Sequence, residues 1–563
     1  MRPLDWVVLA SWLTFIVGYG LYRGRGSNTV DRYLLAGRSL PWYAMGLSIM
    51  ATQASAITFI STTAQAYVDG MRFVQFYLGL PIAMVILCIT AVPIFHRAKV
   101  YTAYEYLEQR FDTKTRAIVS LIFLIQRGLA AGLSLYAPAV VMSVILRWPD
   151  YMTTIIMGCI ILVYTTAGGI KAVAWADVQQ MMMIFVALIL SLVIAFHLMP
   201  HNISVFDALH LAGASGRLNA IDLHWNLDNR YNVWSGLIGG AFLALSYFGC
   251  DQSQVQRYLT GKSIGHSRLS LLLNAVAKIP MQAFILFIGA MVFVLFMFVK
   301  PPAVFHQTEA ARARQAANWG EVQRQYDAAF EARRKAAFQL ADSFHGRGNT
   351  AESAAALKSA NVQFEAAHQQ ALRAVDSVEH TNGFNDTNYI FLSYVTNFLP
   401  VGVVGLLIAV IFTAAISSSS GEINSLATVT VIDIYRRFVK RDGSDRHYLW
   451  ASRLFTVFWC AYAVSFANST RSFGALIEAV NQVGSYFYGS MLGVFVVAFF
   501  FKHVGGTAAF WAVIAGQASI FATSLFTHIS YLWFNVIGCA VVVVSAMVLS
   551  AVLPKKPKEV TVG

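Results

Sequence analysis

An all-α polytopic membrane protein is the fold class that this sequence predicts, and three observations carry the prediction. The 563-residue chain is 57% hydrophobic and only 12% charged, with a mean hydropathy of +0.57, a profile unlike that of a large soluble domain. Its apolar residues gather into thirteen runs long enough to cross a bilayer. Lysine and arginine concentrate in alternate connections between those runs, the asymmetry that orients membrane helices.

The runs fall at roughly 4–22, 41–66, 74–95, 117–146, 152–167, 178–199, 234–256, 270–299, 399–433, 449–467, 473–501, 506–527 and 530–553. One set of connections holds Arg23, Arg25, Arg32, Arg38, Arg97, Lys99, Arg110, Lys114, Arg116 and Lys171, then Arg257, Lys262 and Arg268. Arg436, Arg437, Lys440, Arg441, Arg446, Lys502 and the Lys555/Lys556/Lys558 tail continue it. The opposite short connections hold little beyond Arg72, Arg147, Arg217, Arg230 and Arg471. This bias predicts an integral plasma (inner) membrane protein with its N-terminus outside and its C-terminus in the cytoplasm.

The net charge of +13 is therefore topological, and no basic cluster of the kind that binds nucleic acid is present. The five cysteines stand singly in apolar runs, which predicts neither disulfides nor a thiolate metal site. The first run has no basic leader and no A-x-A cleavage pattern, so it reads as a retained anchor.

In chain order, residues 1–40 make an extra span and the first cytoplasmic loop, and 41–199 make a first block of five spans. Residues 200–233 are an external loop, and 234–300 open a second block. At 301–388 the composition turns to Ala, Arg, Glu and Gln. Two soluble helices separated by Gly346-Arg347-Gly348-Asn349 read there as an external antiparallel hairpin. A structural insertion and a contact for an extracytoplasmic partner are both open readings of it. Residues 389–503 complete the second block, 504–553 add two spans, and 554–563 are a basic cytoplasmic tail.

Two runs are interrupted in the middle. The second crowds Thr52, Gln53, Ser55, Thr58 and Ser61 near its centre, and the seventh breaks at Gly249, Asp251, Gln252, Ser253 and Gln254. Each is the first span of a five-span block. Broken helices at matching positions of two halves predict a five-plus-five inverted repeat with its substrate site at the interface. A third signal lies at 403–438, where Ser417 to Ser420, Glu422 and Asn424 enter an apolar helix. Single serines in membrane helices bond back to the preceding turn. A cluster of this density at membrane depth points to a cation pathway.

Five segments then resemble one family, in the family's order and spacing. They are RYLLAGRSLPWYAMGLSIMATQASAITF, VYTAYEYLEQRF, YTTAGGIKAVAWADVQQ, FGCDQSQVQRYLTGKS and AAISSSSGEINSLATVTVIDIYRRF. The chain resembles the sodium:solute symporter family outside 301–388, closest in motif to its iodide, monocarboxylate and multivitamin branch. The resemblance implies a sodium-coupled symporter importing a small organic solute by alternating access, with sodium as coupling ion and no other cofactor. It implies a main sodium site of the carbonyls of Ala51, Ala54 and Ala414 and the hydroxyls of Ser417 and Ser418. Neutral oxygens suit a hard cation that must also be released.

A candidate second sodium site follows from Asp177 and Ser420, although Gly421 stands where the family has a further serine. Asp177 is equally read as a partner of Lys171 or a helix-end charge. Gln53, Thr58, Tyr77, Arg127, Asp251 and Lys278 are the substrate candidates. Most sugar-binding groups of the family are altered here, and Arg127 and Lys278 lie deep in spans. Two readings stay open for these cations: partners of an organic anion such as a monocarboxylate or sialic acid, or structural pairs with Asp251 or Glu422. A sodium/sugar cotransporter is the alternative within the fold, and a transporter-like solute sensor is the alternative of another class. No H-E-x-x-H or G-x-S-x-G motif occurs in the spans, so neither an enzyme nor a metal site other than sodium's is expected.

Overall fold

The computed structural model describes residues 1–24, 29–146, 148–379, 383–468 and 475–553. The basic tail at 554–563, together with Arg25, Arg147 and Arg471, lies outside them. Among the described residues the elements are helices, joined by a single isolated bridge between Leu40 and Gly261. Among the described residues ten helices are long and apolar enough to cross a membrane. The three other expected spans are carried by shorter pieces. Two of them are the broken runs, and the third is the apolar stretch Tyr151–Thr166.

Several expected boundaries move. The runs at 152–167 and 178–199 belong to one helical stretch, Asp150–His197, of 48 residues. The ninth run starts later than expected. Ile390–Phe398 is a separate helix, and the serine helix begins at Val403 after Pro400 and a positive φ of 87° at Gly402. The Asp5 carboxylate caps that start, accepting from the amides of Gly402 at 2.6 Å and Gly405 at 3.2 Å. An anion at a helix N-terminus meets unpaired amides and the positive end of the dipole. The first helix, Pro3–Gly24, is thereby fixed to the serine helix.

The serine helix, Val403–Val429, is buried along nearly its whole length. It packs on Asp150–His197, Thr113–Leu146, the first helix and Trp42–Gln53. That central position explains why its polar side chains survive in an apolar protein: they are buried among other protein elements, where most find partners. Outside the membrane helices, Trp319–Phe344 and Thr350–Glu379 form the expected antiparallel hairpin. Val322, Tyr326 and Phe330 recur at helical spacing and share a cluster with Phe364, Ala371 and Val375, while Ala337 and Leu340 share one with Leu357 and Ala360. The first expected helix is shorter than its composition suggests, with Gln307–Ala313 split from Trp319–Phe344.

Candidate functional site

Both breaks and the serine helix meet around one cavity. The first broken helix runs Trp42–Gln53 and closes with the Ala54 amide donating to the Met50 carbonyl at 2.8 Å. Ala54 itself has left helical geometry, with φ −87° and ψ 53°. The last carbonyls of a helix have no partner within it. Here Thr58 engages two of the break's carbonyls, its amide bonding Ser55 at 2.9 Å and its hydroxyl bonding Gln53 at 2.7 Å. Neither belongs to Ala51 or Ala54, the residues expected to offer carbonyls to sodium.

The second broken helix runs Ser235–Gly249 and resumes as Gln252–Leu259. Asp251 is the N-cap of the resumed piece, its Oδ1 accepting from the Ser253 amide at 2.9 Å and the Ser253 hydroxyl at 2.7 Å. The Tyr104 hydroxyl donates to the Cys250 carbonyl at 2.9 Å, so the YEYLEQRF segment supports this break directly.

On the serine helix the four hydroxyls diverge. Ser418 donates to the Ala414 carbonyl at 2.8 Å, which brings two expected sodium ligands together. Ser417 donates to the Asp177 carboxylate. Ser420 bonds the Ser417 carbonyl at 2.9 Å, and the Ser419 hydroxyl is buried without a partner. Asp177 and Ser420 are thus not hydrogen-bonded to each other. Asp177 accepts instead from the Ser48 hydroxyl at 2.5 Å and from Arg257 Nη1 at 2.8 Å. Its partner is Arg257 and not Lys171, and it lies within a helix and not at a helix end. Arg257 and Arg116, counted from sequence among loop charges, are both buried.

The cavity, of about 100 Å³, is walled by four of the expected substrate residues, Gln53, Thr58, Tyr77 and Arg127. Gln126, Tyr247, Phe248, Glu422 and Tyr488 line it too. Arg127 donates to Glu422 Oε1 at 3.1 Å, to the Tyr488 hydroxyl at 2.7 Å and to Asp251. Asp251 thus stands behind Arg127, and Tyr488 completes the triangle by donating to Asp251 Oδ2 at 2.9 Å. Of the two readings left open for Arg127, the ion pair is what the structure shows, and with both carboxylates at once. Lys278 is different. Its Nζ is buried without a hydrogen-bond partner and lies 5.5 Å over the ring of Tyr77.

A family model of the sodium:solute symporters matches residues 33–320 and 362–516. The chain belongs to the sodium:solute symporter family. The unmatched interval between the two segments falls inside the helical hairpin. This symporter is 27% identical over 533 residues to sodium-coupled monocarboxylate transporter 1 of Mus musculus, covering 93% of this chain and 73% of that one. It is 26% identical over 551 residues to the sodium/sialic acid symporter of Aliivibrio fischeri, covering 96% and 92%. Its fold matches a solved outward-open, substrate-bound Na+-coupled sialic acid symporter with a TM-score of 0.74, 21% identity and 99% coverage of both chains. It is a membrane transporter of a small solute and not an enzyme.

Three site residues of the symporter escaped sequence reasoning: Ser48, Arg257 and Tyr488. Ser48 and Tyr488 carry no local signal, being ordinary polar residues within helices. Arg257 had one, since its segment QSQVQRYL closes an apolar run and a buried arginine requires a carboxylate.

Proposed function

We propose that this symporter imports a small organic anion, driven by a sodium ion held between the two repeats. Arg127 is the observation that carries the substrate class: a guanidinium in the cavity wall whose Nε–H is buried without a partner. A carboxylate is the natural acceptor for such a donor. Lys278, unpaired behind Tyr77, adds positive potential on the same side. Similarity to transporters of monocarboxylates and sialic acid supports the same class. Sodium is assigned to the carbonyls of Ala51, Ala54 and Ala414 with the hydroxyls of Ser417 and Ser418. The packing of the serine helix on Trp42–Gln53 supports that set.

The N-terminus lies outside, the described connections at 99–114 and 436–446 lie in the cytoplasm, and the hairpin projects outward. Binding of sodium draws the serine helix and the first broken helix together, and Tyr247 and Phe248 close over the solute. A sugar-like solute is the second reading, favoured by one observation. Glu422 Oε2 and Gln126 Oε1, both acceptors without partners, belong to residues that line the same cavity and suit hydroxyl donors. Sodium-driven uptake in proteoliposomes, competed by monocarboxylates, sialic acid and neutral sugars, separates the two. Competition by the acids is the expected result, and competition by neutral sugars alone would overturn it.

A further inference from the structure

A second cavity, of about 230 Å³, has lining residues different from those of the solute cavity. Trp6, Leu9, Leu13 and Val17 form one wall from one face of the first helix, and Phe412 and Ile416 form another from the serine helix. The end of Thr113–Leu146 and the first turns of Asp150–His197 complete it. Among the described residues no polar atom faces this cavity, so water finds no hydrogen-bond partner there. Apolar cavities of about 150 Å³ already take a molecule as large as benzene. The mouth decides which apolar molecule enters. Trp6 and Ile160 are exposed on the flank of the bundle, and Trp148 and Tyr151 are exposed beside the same helix ends. Exposed tryptophan and tyrosine gather at the headgroup level of a bilayer. From Trp6 to Val17 the wall descends about 16 Å at the helical rise, close to half of the ~30 Å hydrocarbon core.

We propose that this cavity is the site of one acyl chain of a membrane phospholipid, with the headgroup beside Trp6 and Trp148 and the terminal methyl against Ile416. Half a bilayer is the depth that a phospholipid chain spans in its own leaflet, so the lipid enters without leaving that leaflet. The chain joins two helices. Asp5 ties the first helix to the start of the serine helix through the amides of Gly402 and Gly405. Farther along, both helices line the cavity, and the chain gains dispersion contacts with the two at once. Val17 and Ile416 also border a smaller void that reaches Ser417, so the chain ends one residue from the serine run. The site depends on neither the sodium ion nor the solute.

The test is photolabelling of the purified full-length chain in phospholipid nanodiscs, using a phosphatidylcholine with a diazirine at the end of one acyl chain. Peptide mass spectrometry locates the adducts. Leu454 and Val548, exposed on other helices, report ordinary contact with the surrounding bilayer. Wild type is expected to carry adducts at the buried Phe412 and Ile416 as well as at those exposed positions. Leu13→Trp, which fills the cavity from the first helix, is expected to lose the buried adducts and keep the exposed ones. Met142→Trp fills it from another helix and is expected to do the same, so that misfolding of one variant leaves the other to decide. Labelling confined to exposed positions in wild type overturns the proposal, as does buried labelling that a folded filling variant leaves unchanged. A cholesterol diazirine that labels Phe412 and Ile416 where the phospholipid does not overturns it in favour of a sterol.

Discussion

Arg127, on the helix Thr113–Leu146, forms a buried ion pair with Asp251, the N-cap of the helix that follows the second break. The pair joins the first repeat to the discontinuity in the second, and Glu422 extends it to the serine helix. Removing one member of a buried pair leaves an uncompensated charge, at a cost of about 3–5 kcal/mol. Arg127→Gln should therefore lower the thermal unfolding midpoint in detergent and abolish uptake. Adding Asp251→Asn should recover most of the stability without recovering transport. If the double variant is as unstable as the single one, the arginine acts through packing and not through charge.

Ser417 and Ser418 supply two of the five oxygens assigned to sodium. Their joint replacement by alanine should raise the sodium concentration for half-maximal uptake about tenfold or more, equivalent to about 1.4 kcal/mol of binding. Uptake against a sodium titration measures this. An unchanged half-saturation would remove both hydroxyls from the site.

Glu108 accepts from Arg116 Nη1 at 2.7 Å, from the Thr113 hydroxyl at 2.8 Å and from Arg437. Burial alone would raise its pKa, but these bonds, Arg116's foremost, hold it below the ordinary glutamate value of 4.5. A carboxyl whose folded pKa is depressed gives stability that is present above the unfolded value. That stability is lost as pH falls through the folded one. Between neutrality and about pH 5 this contribution should be constant, and it should decline below pH 4.5. Glu108→Gln should flatten that acid limb in a melting series, leaving the curve less steep than wild type.

The fold was legible in the sequence because its signals are additive over many residues. Apolar runs, alternating basic connections and two interrupted spans each rest on a long stretch, and local exceptions do not erase them. The sites depend on single side chains meeting across large sequence separations, and there the legibility ends. Arg127 was visible as a cation at depth, yet whether it faced solute or carboxylate turned on Asp251 and Glu422, 124 and 295 residues away. Arg257 was misread because the positive-inside pattern counts charge near a span's end without asking where the side chain points.

The hairpin carries a titratable contact with the rest of the chain. His368 on Thr350–Glu379 places Nδ1 3.0 Å from the Ala303 carbonyl and Nε2 3.3 Å from Asp386 Oδ1. Both neighbours are acceptors, so the ring satisfies both only as imidazolium. Burial works against that charge, but the Asp386 carboxylate outweighs it and the His368 pKa is raised above 6.5. For a histidine whose folded pKa is raised, the stabilisation is complete below the unfolded value and is lost as pH rises through the folded one. The hairpin should thus hold most firmly at mildly acidic pH and loosen on the alkaline side of 6.5. Hydrogen exchange of residues 319–379 at pH 5.5 and 8.5, corrected for the intrinsic rate, measures this. Protection should fall at the higher pH in wild type and should fall less in His368→Gln. Equal protection at both values in wild type would mean that the His368–Asp386 contact does not hold the hairpin.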